Sequence, residues 1–269
     1  MFGGREKCLE LVLYALALAS FGAGTLRNRI YAPPYTPEAR REGTLRVVTW
    51  NVGAGLESGG LQEEHLDHVA RALRKLDPDV VFLQETRGRR QAERLRERLG
   101  EGWFFESGSG VLALCQRGWF EAFELDRAFR MRAVGVIFRA EGRDPIAAIG
   151  LHALAFSSTS RNEAIGVTTT TLNMRSETHK ILAGDLNLDL DLDKRRDLFS
   201  DDEYLDVETY NFVGLSMIDA TRDTGATAEP DRRLDYVFTS KGWDVLAAGT
   251  WKGQRAPGMD HDPVVVDLR

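Results

Sequence analysis

The chain has 269 residues, 43% hydrophobic and 28% charged, the balance of a soluble globular protein with enough apolar side chains for a sizeable core, which excludes a disordered chain. Basic and acidic residues leave a formal charge of −6, so there is no global basic field, and any contact with nucleic acid must rest on local patches and metal ions. Two cysteines, Cys8 and Cys115, are too few for a disulfide framework or a zinc cluster of the CxxC kind.

In chain order, an uncharged run from Leu11 to Leu26 follows Arg5, Glu6 and Lys7. It falls short of the about 20 apolar residues of a membrane span and fits the about 7–15 of a signal-peptide core. Ala17-Leu18-Ala19 offers a small-x-small cleavage pattern, whereas Arg27 and Arg29 follow closely. Residues 1–26 are expected to be a signal, an anchor or a packed helix, with membrane association through residues 9–26 and a membrane-anchored or secreted location. Residues 27–43, with Pro33, Pro34 and Pro37, read as a linker, and residues 44–269 as one catalytic domain.

Leu45–Trp50 reads as a strand feeding a loop at Asn51. Leu61–Leu76 sets Leu66, Val69, Leu73 and Leu76 on one helical face, ended by Asp77-Pro78. Val80–Leu83 is a buried strand, Arg89–Leu99 a charged amphipathic helix, and Val111–Cys115, Ala133–Arg139 and Ile146–Leu151 are strands. Ser157–Thr178, rich in Ser, Thr and Asn, is expected to be a surface loop. Lys180–Ala183, Leu234–Thr239, Val245–Trp251 and Val264–Leu268 complete the strands. The pattern predicts an α/β (α+β) fold, a four-layer sandwich of two mixed β-sheets flanked by helices.

Polar residues recur where these strands end, in the segments TWNVG, FLQET, GLHAL, AGDLNLD, RLDYVF and GMDHDPV. Each is a weak signal alone, but the ordered set over Thr44–Arg269 resembles the endonuclease/exonuclease/phosphatase superfamily, the deoxyribonuclease I-like phosphoesterases. The resemblance implies a divalent-metal-dependent phosphoric ester hydrolase using Mg²⁺, with Mn²⁺ as an alternative. It makes Glu85, Asn51 and Asp260 the metal-site residues and His261, Asp235, Asp185, Asn187 and His152 the catalytic ones. Asp185 would activate the attacking water, with Asn187 holding it and the phosphate. Asp235 would orient His261, which contacts the phosphate or moves a proton, and His152 would bind phosphate or protonate the leaving group.

Independent of resemblance, Asp185 and Asn187 lie two apart, which in an extended segment puts both on one face. A calcium loop starting at Asp185 fails, since its sixth and twelfth positions are Leu190 and Arg196. Asp189, Asp191 and Asp193 alternate with leucines and read as a solvated edge without a catalytic role. Arg161 is a candidate phosphate contact. His65 and His68 read as a polar helix face, and His179 has no motif around it. Many family members carry an acidic residue where this chain has Gly53, and a Ser where it has Met259. The expected reaction is hydrolysis of phosphodiester bonds in nucleic acid by a monomer, with a phospholipid or inositol polyphosphate phosphohydrolase as the alternative.

Overall fold

A computed structural model of the chain describes residues 35–53, 60–125, 132–191 and 204–269. The apolar segment 1–26, residues 27–34 of the linker and Asp193 lie outside the described residues. Among those described, no helix is long and apolar enough to cross a membrane.

The first sheet is built on β1 (Leu45–Asn51), which is buried along its whole length. Successive strand residues face opposite sides, so Val48 and Trp50 enter one core while Leu45 and Val47 enter another. That is why the strand reads as a continuous apolar run. It pairs in parallel with β2 (Val80–Gln84) and antiparallel with β12 (Val264–Leu268). With β3 (Trp103–Ser107), β4 (Val111–Gln116) and β11 (Val245–Thr250) the order is β11-β12-β1-β2-β4-β3.

The second sheet repeats the logic. β7 (Ile146–His152) and β8 (His179–Asp185) run parallel, β10 (Asp235–Ser240) lies antiparallel to β8, and β5 (Trp119–Ala122), β6 (Arg132–Arg139) and β9 (Met217–Asp219) give the order β5-β6-β7-β8-β10-β9. Val47, Phe82, Val136, Ala148 and Val237 pack between the sheets. Helices α1 (Leu66–Leu76) and α2 (Arg89–Leu99) cover the first sheet, whereas α3 (Ser158–Met174) and α4 (Asp206–Gly214) cover the second. The four-layer sandwich of two mixed sheets is thus the observed fold. Leu66 and Leu73 are fully buried beneath α1, each stabilising the layer contact by about 1.5–3 kcal/mol.

Three differences from expectation have physical causes. Ser157–Thr178 is not a surface loop, since most of it is α3. Ser157 caps that helix by accepting from the Ser160 amide at 3.1 Å, and Ile165, Thr168, Thr169 and Leu172 are buried. Thr168 turns its hydroxyl back onto Ala164 and Ile165 carbonyls, so weak intrinsic propensity is overridden by packing. The first helix begins with a 3₁₀ turn at Glu63–His65 rather than at Leu61. The strands β3, β5 and β9 and the helix α4 have no sequence counterpart in the expected set, because they expose residues such as Phe104, Trp119, Ile218 and Phe212 and lack a clean apolar period.

Residues 35–43 form no helix or strand. Tyr35 nevertheless packs on the first-sheet core, over Gly249, where a Cβ would overlap its ring. Arg40 lies 3.7 Å from Asp77 and 3.8 Å from Asp79.

Candidate active site

The topology brings six strand ends to one edge of the molecule. Parallel strands end together, so Asn51 sits opposite Gln84, one residue before Glu85, and His152 sits opposite Asp185. Antiparallel partners contribute their beginnings at the same edge, with Asp235 opposite Asp185 and His261 shortly before β12. All eight residues expected at the site therefore come from segments meeting at this edge.

Asn51 joins the two sheets. Its Nδ2 donates to Glu85 Oε1 at 3.1 Å and to Asp185 Oδ2 at 3.0 Å, while its Oδ1 accepts from the Gly53 amide at 3.0 Å. Two carboxylates on one side and an N–H on the other leave only this orientation of the amide. Glu85 follows β2 with φ at 59°, a left-handed conformation costing about 1–3 kcal/mol in a non-glycine residue and typical of functional sites. Its carbonyl accepts from Leu61 N at 2.8 Å, which holds the turn. The Glu85 carboxylate occupies the space where a Cβ on Gly53 would stand, so an acidic side chain and this Glu85 position exclude each other.

His261 Nδ1 lies 2.7 Å from Asp235 Oδ2, and the ring's Nε2 faces Asp185 Oδ2 at 3.8 Å and Asp260 Oδ1 at 4.0 Å. The Asp235 contact fixes which nitrogen faces these two carboxylates. His152 Nε2 lies 3.6 Å from Asp185 Oδ2 and 3.9 Å from Glu85 Oε1. Asn187 is brought close by a turn and not by extended alternation. Its φ is 50°, its amide donates to Asp185 Oδ1 at 3.0 Å, and its Nδ2 donates to the Ala153 carbonyl at 3.0 Å, an Asx-type turn.

The electrostatics are dominated by excess negative charge. Burial pushes the Asp185 carboxyl above the usual carboxylate range, Asp235 adds to this, and His261, His152 and Asn51 counter it only in part. Burial alone would lower the proton affinity of His261, but Asp235, Asp185 and Asp260 outweigh it and raise the ring to about 10. Asp260 is raised by burial, which His261 partly offsets. Four carboxylates thus face two imidazoles, and the donors are mainly hard oxygens, the set that suits a divalent cation such as Mg²⁺. Among the described residues, Asp185, Asp235 and His261 are the group whose ligand atoms all lie within 4.8 Å of one another.

The profile of the Endonuclease/Exonuclease/phosphatase family matches residues 48–255, most of the chain and every motif but the last. The chain belongs to this family. Its members are phosphoric ester hydrolases, and this chain is an enzyme of that class; the family generally works with divalent metal ions. The fold matches D. rerio TDP2 complexed with a single-strand DNA product, at 16% identity and TM-score 0.64 over 85% of this chain and 100% of that one. It also matches a mannosyl-6-phosphatase from Bacteroides thetaiotaomicron, at 16% identity and TM-score 0.62 over 84% and 99%. A family protein from Beutenbergia cavernae matches at 22% identity and TM-score 0.63, over 86% and 72%. No curated protein matches.

Relative to its family, the chain's Gly53 is explained by the Glu85 carboxylate that fills its place, and Met259 packs in the first-sheet core. Arg161 does not reach the site as a phosphate contact. It is fully buried, bonded to Asp206 and to the Leu154 and Ala155 carbonyls. Asp189 is likewise no solvated edge, being buried against Arg232 at 2.8 Å. His68 Nε2 contacts the Gln254 carbonyl at 2.6 Å, and His179 lies tilted against Trp243 with ring centroids 4.5 Å apart. Two supports escaped the sequence reading. Trp50 Nε1 donates to the His261 carbonyl at 3.0 Å, and Thr227 Oγ1 accepts from the Leu234 and Asp235 amides at 3.0 and 3.1 Å. Nothing in an apolar strand or a lone threonine signals such partners.

Proposed function

We propose that the chain is a metal-dependent phosphodiesterase acting on nucleic acid, with Glu85, Asp260 and Asn51 at the metal site. The observation carrying this reading is that the Asp235–His261 pair, His152 and the Asn51-bridged Glu85 and Asp185 all converge at one edge of the two sheets. A bound Mg²⁺ or Mn²⁺ would supply positive charge to the phosphoryl oxygens and offset the carboxylates. Asn51 holds Glu85 and Asp185 in place. Asp185, whose raised carboxyl favours proton uptake, accepts a proton from the attacking water. Asn187 holds that water and the scissile phosphate from its turn. Protonated His261 donates from Nε2 to a non-bridging oxygen, with Asp235 holding Nδ1–H and so fixing the ring's orientation, and thereby stabilises charge that develops in the transition state. His152 donates to the leaving oxygen.

The test is Mg²⁺-dependent nicking of supercoiled plasmid by the full chain, with EDTA as control. Cleavage that stops with EDTA and returns with Mg²⁺ or Mn²⁺ supports the reading. A folded protein that leaves the plasmid intact but releases phosphate from small phosphomonoesters would replace it, the direction to which the fold's likeness to a mannosyl-6-phosphatase points.

Gly53→Ala tests the metal side. The added methyl collides with the Glu85 carboxylate, so divalent-ion affinity should fall about 10- to 100-fold, the usual effect of disturbing the shell around a metal ligand. Calorimetric titration with Mn²⁺ measures it. Unchanged affinity would remove Glu85 from the ion's ligands.

A further inference from the structure

Beyond the strand ends the chain has no ladder to satisfy its backbone groups, which must then find other partners. In the second sheet they do so through two buried ion pairs. Arg161 Nη1 donates to the Leu154 and Ala155 carbonyls, both at 2.9 Å, in the loop that follows His152. Its Nε and Nη2 donate to Asp206 Oδ1 at 3.2 and 2.9 Å. Asp206 Oδ2 accepts from the Asp189 amide at 2.8 Å, in the loop that follows Asp185 and Asn187. Asp189 Oδ1 accepts from the Asp191 amide at 2.9 Å, and its Oδ2 from Arg232 Nε at 2.8 Å.

Arg232 closes the path to the remaining reacting groups. Its backbone pairs with Ala228, and Ala228 bridges to His261. Thr227, whose amide donates to the Arg232 carbonyl at 2.7 Å, accepts the Asp262 amide at its carbonyl and the Asp235 amide at its hydroxyl. The segment that holds both Asp235 and His261 therefore leans on Arg232, and Arg232 is fixed by Asp189. Arg161, Asp206, Asp189 and Arg232 are each at most 4% exposed. Burying such pairs is a poor route to stability, since apolar residues of similar volume do as well or better. What the pairs provide is direction, and misplacement by about 1 Å in a catalytic array costs on the order of 10²-fold in rate.

We propose that Asp189, acting through Arg232, is a positioning residue for the Asp235–His261 pair, an inference that rests on the functional reading above. The experiment compares the full-length parent with Asp189→Asn, Arg232→Lys and Asp267→Asn. Asp267 forms a comparable buried pair with Arg46 at 2.7 Å, at the opposite end of β1. Two readouts are taken, plasmid-cleavage kinetics and the downfield proton resonance of His261 Nδ1–H bonded to Asp235, assigned by its loss in His261→Ala.

Asp189→Asn is expected to lower kcat about 10- to 100-fold, as loss of outer-shell partners does, with KM within about twofold, and to shift or broaden the His261 resonance. Arg232→Lys keeps the charge but not the Nε geometry and should fall between; it carries both readouts if Asp189→Asn does not fold. Asp267→Asn should lower the melting temperature and leave both readouts at parental values. The proposal is overturned if Asp189→Asn matches Asp267→Asn in kcat and leaves the resonance unmoved. The resonance needs no substrate, so it tests the inference even if the parent cuts no plasmid, an outcome that would count against the nuclease reading alone.

Discussion

His261→Ala is expected to lower kcat for plasmid cleavage by about 10²–10⁴-fold, the range for removing a positioned proton-transfer group. The ring's Nε2 is the nitrogen that faces Asp185 and Asp260, because Nδ1 is held by Asp235 at 2.7 Å. Asp235→Asn should lose a comparable amount, and the double variant little more, since residues acting as one unit are grossly non-additive. Multiplying losses in the double variant would show that the two act separately, and parental kcat in His261→Ala would end the mechanism.

The same substitution carries a signed prediction for stability. The folded ring's pKa is raised, from about 6.5 unfolded to about 10, so its charge stabilises the fold fully below about pH 6.5. That contribution is lost as pH rises through about 10. His261→Ala lacks it at every pH, so its deficit in melting temperature should be largest at about pH 6.5 and below and shrink toward about pH 10. Thermal melts across that range in EDTA measure the trend, and a deficit independent of pH would mean that the ring is neutral in the folded protein.

How far the sequence reveals this site depends on how local each signal is. β1, β2, β7 and β8 are legible because each is an apolar run ended by a polar residue, and both faces of those strands are buried. The placement of Asn51, Glu85, His152 and Asp185 is legible for the same reason, as they stand at those ends, whereas their roles are implied only by the resemblance of the ordered motif set. α3 is not, because its stability comes from packing Ile165 and Leu172 on the second sheet, and Ser and Thr composition speaks for a loop. Asp189 alternates with leucines as a surface strand would. Its partner Arg232 is 43 residues away, and no local period encodes that pairing. Asn187 is a middle case, correctly placed near Asp185 but by a left-handed turn that residue spacing alone cannot distinguish from extended chain.

Asp185→Asn should separate function from stability. Turnover should fall by about 10²–10⁴-fold, because the amide cannot accept the water's proton. Stability should move the other way with pH. Burial raises the carboxyl's folded pKa, so the folded state binds this proton more tightly than the unfolded chain does. The parent is therefore increasingly destabilised as pH rises above the unfolded value of about 3.9. The neutral amide escapes that penalty, although it gives up one of the two bonds the carboxylate accepts, from Asn51 and from the Asn187 amide, at about 1 kcal/mol. That loss is the same at every pH, so the difference in melting temperature between variant and parent in EDTA should shift in the variant's favour from about pH 4 to about pH 8. A divalent ion should narrow this gap by screening the parent's carboxylate. A gap that instead shifts in the parent's favour with rising pH would mean that His261, His152 and Asn51 overcome the burial of Asp185, leaving it too weak a base to take the water's proton.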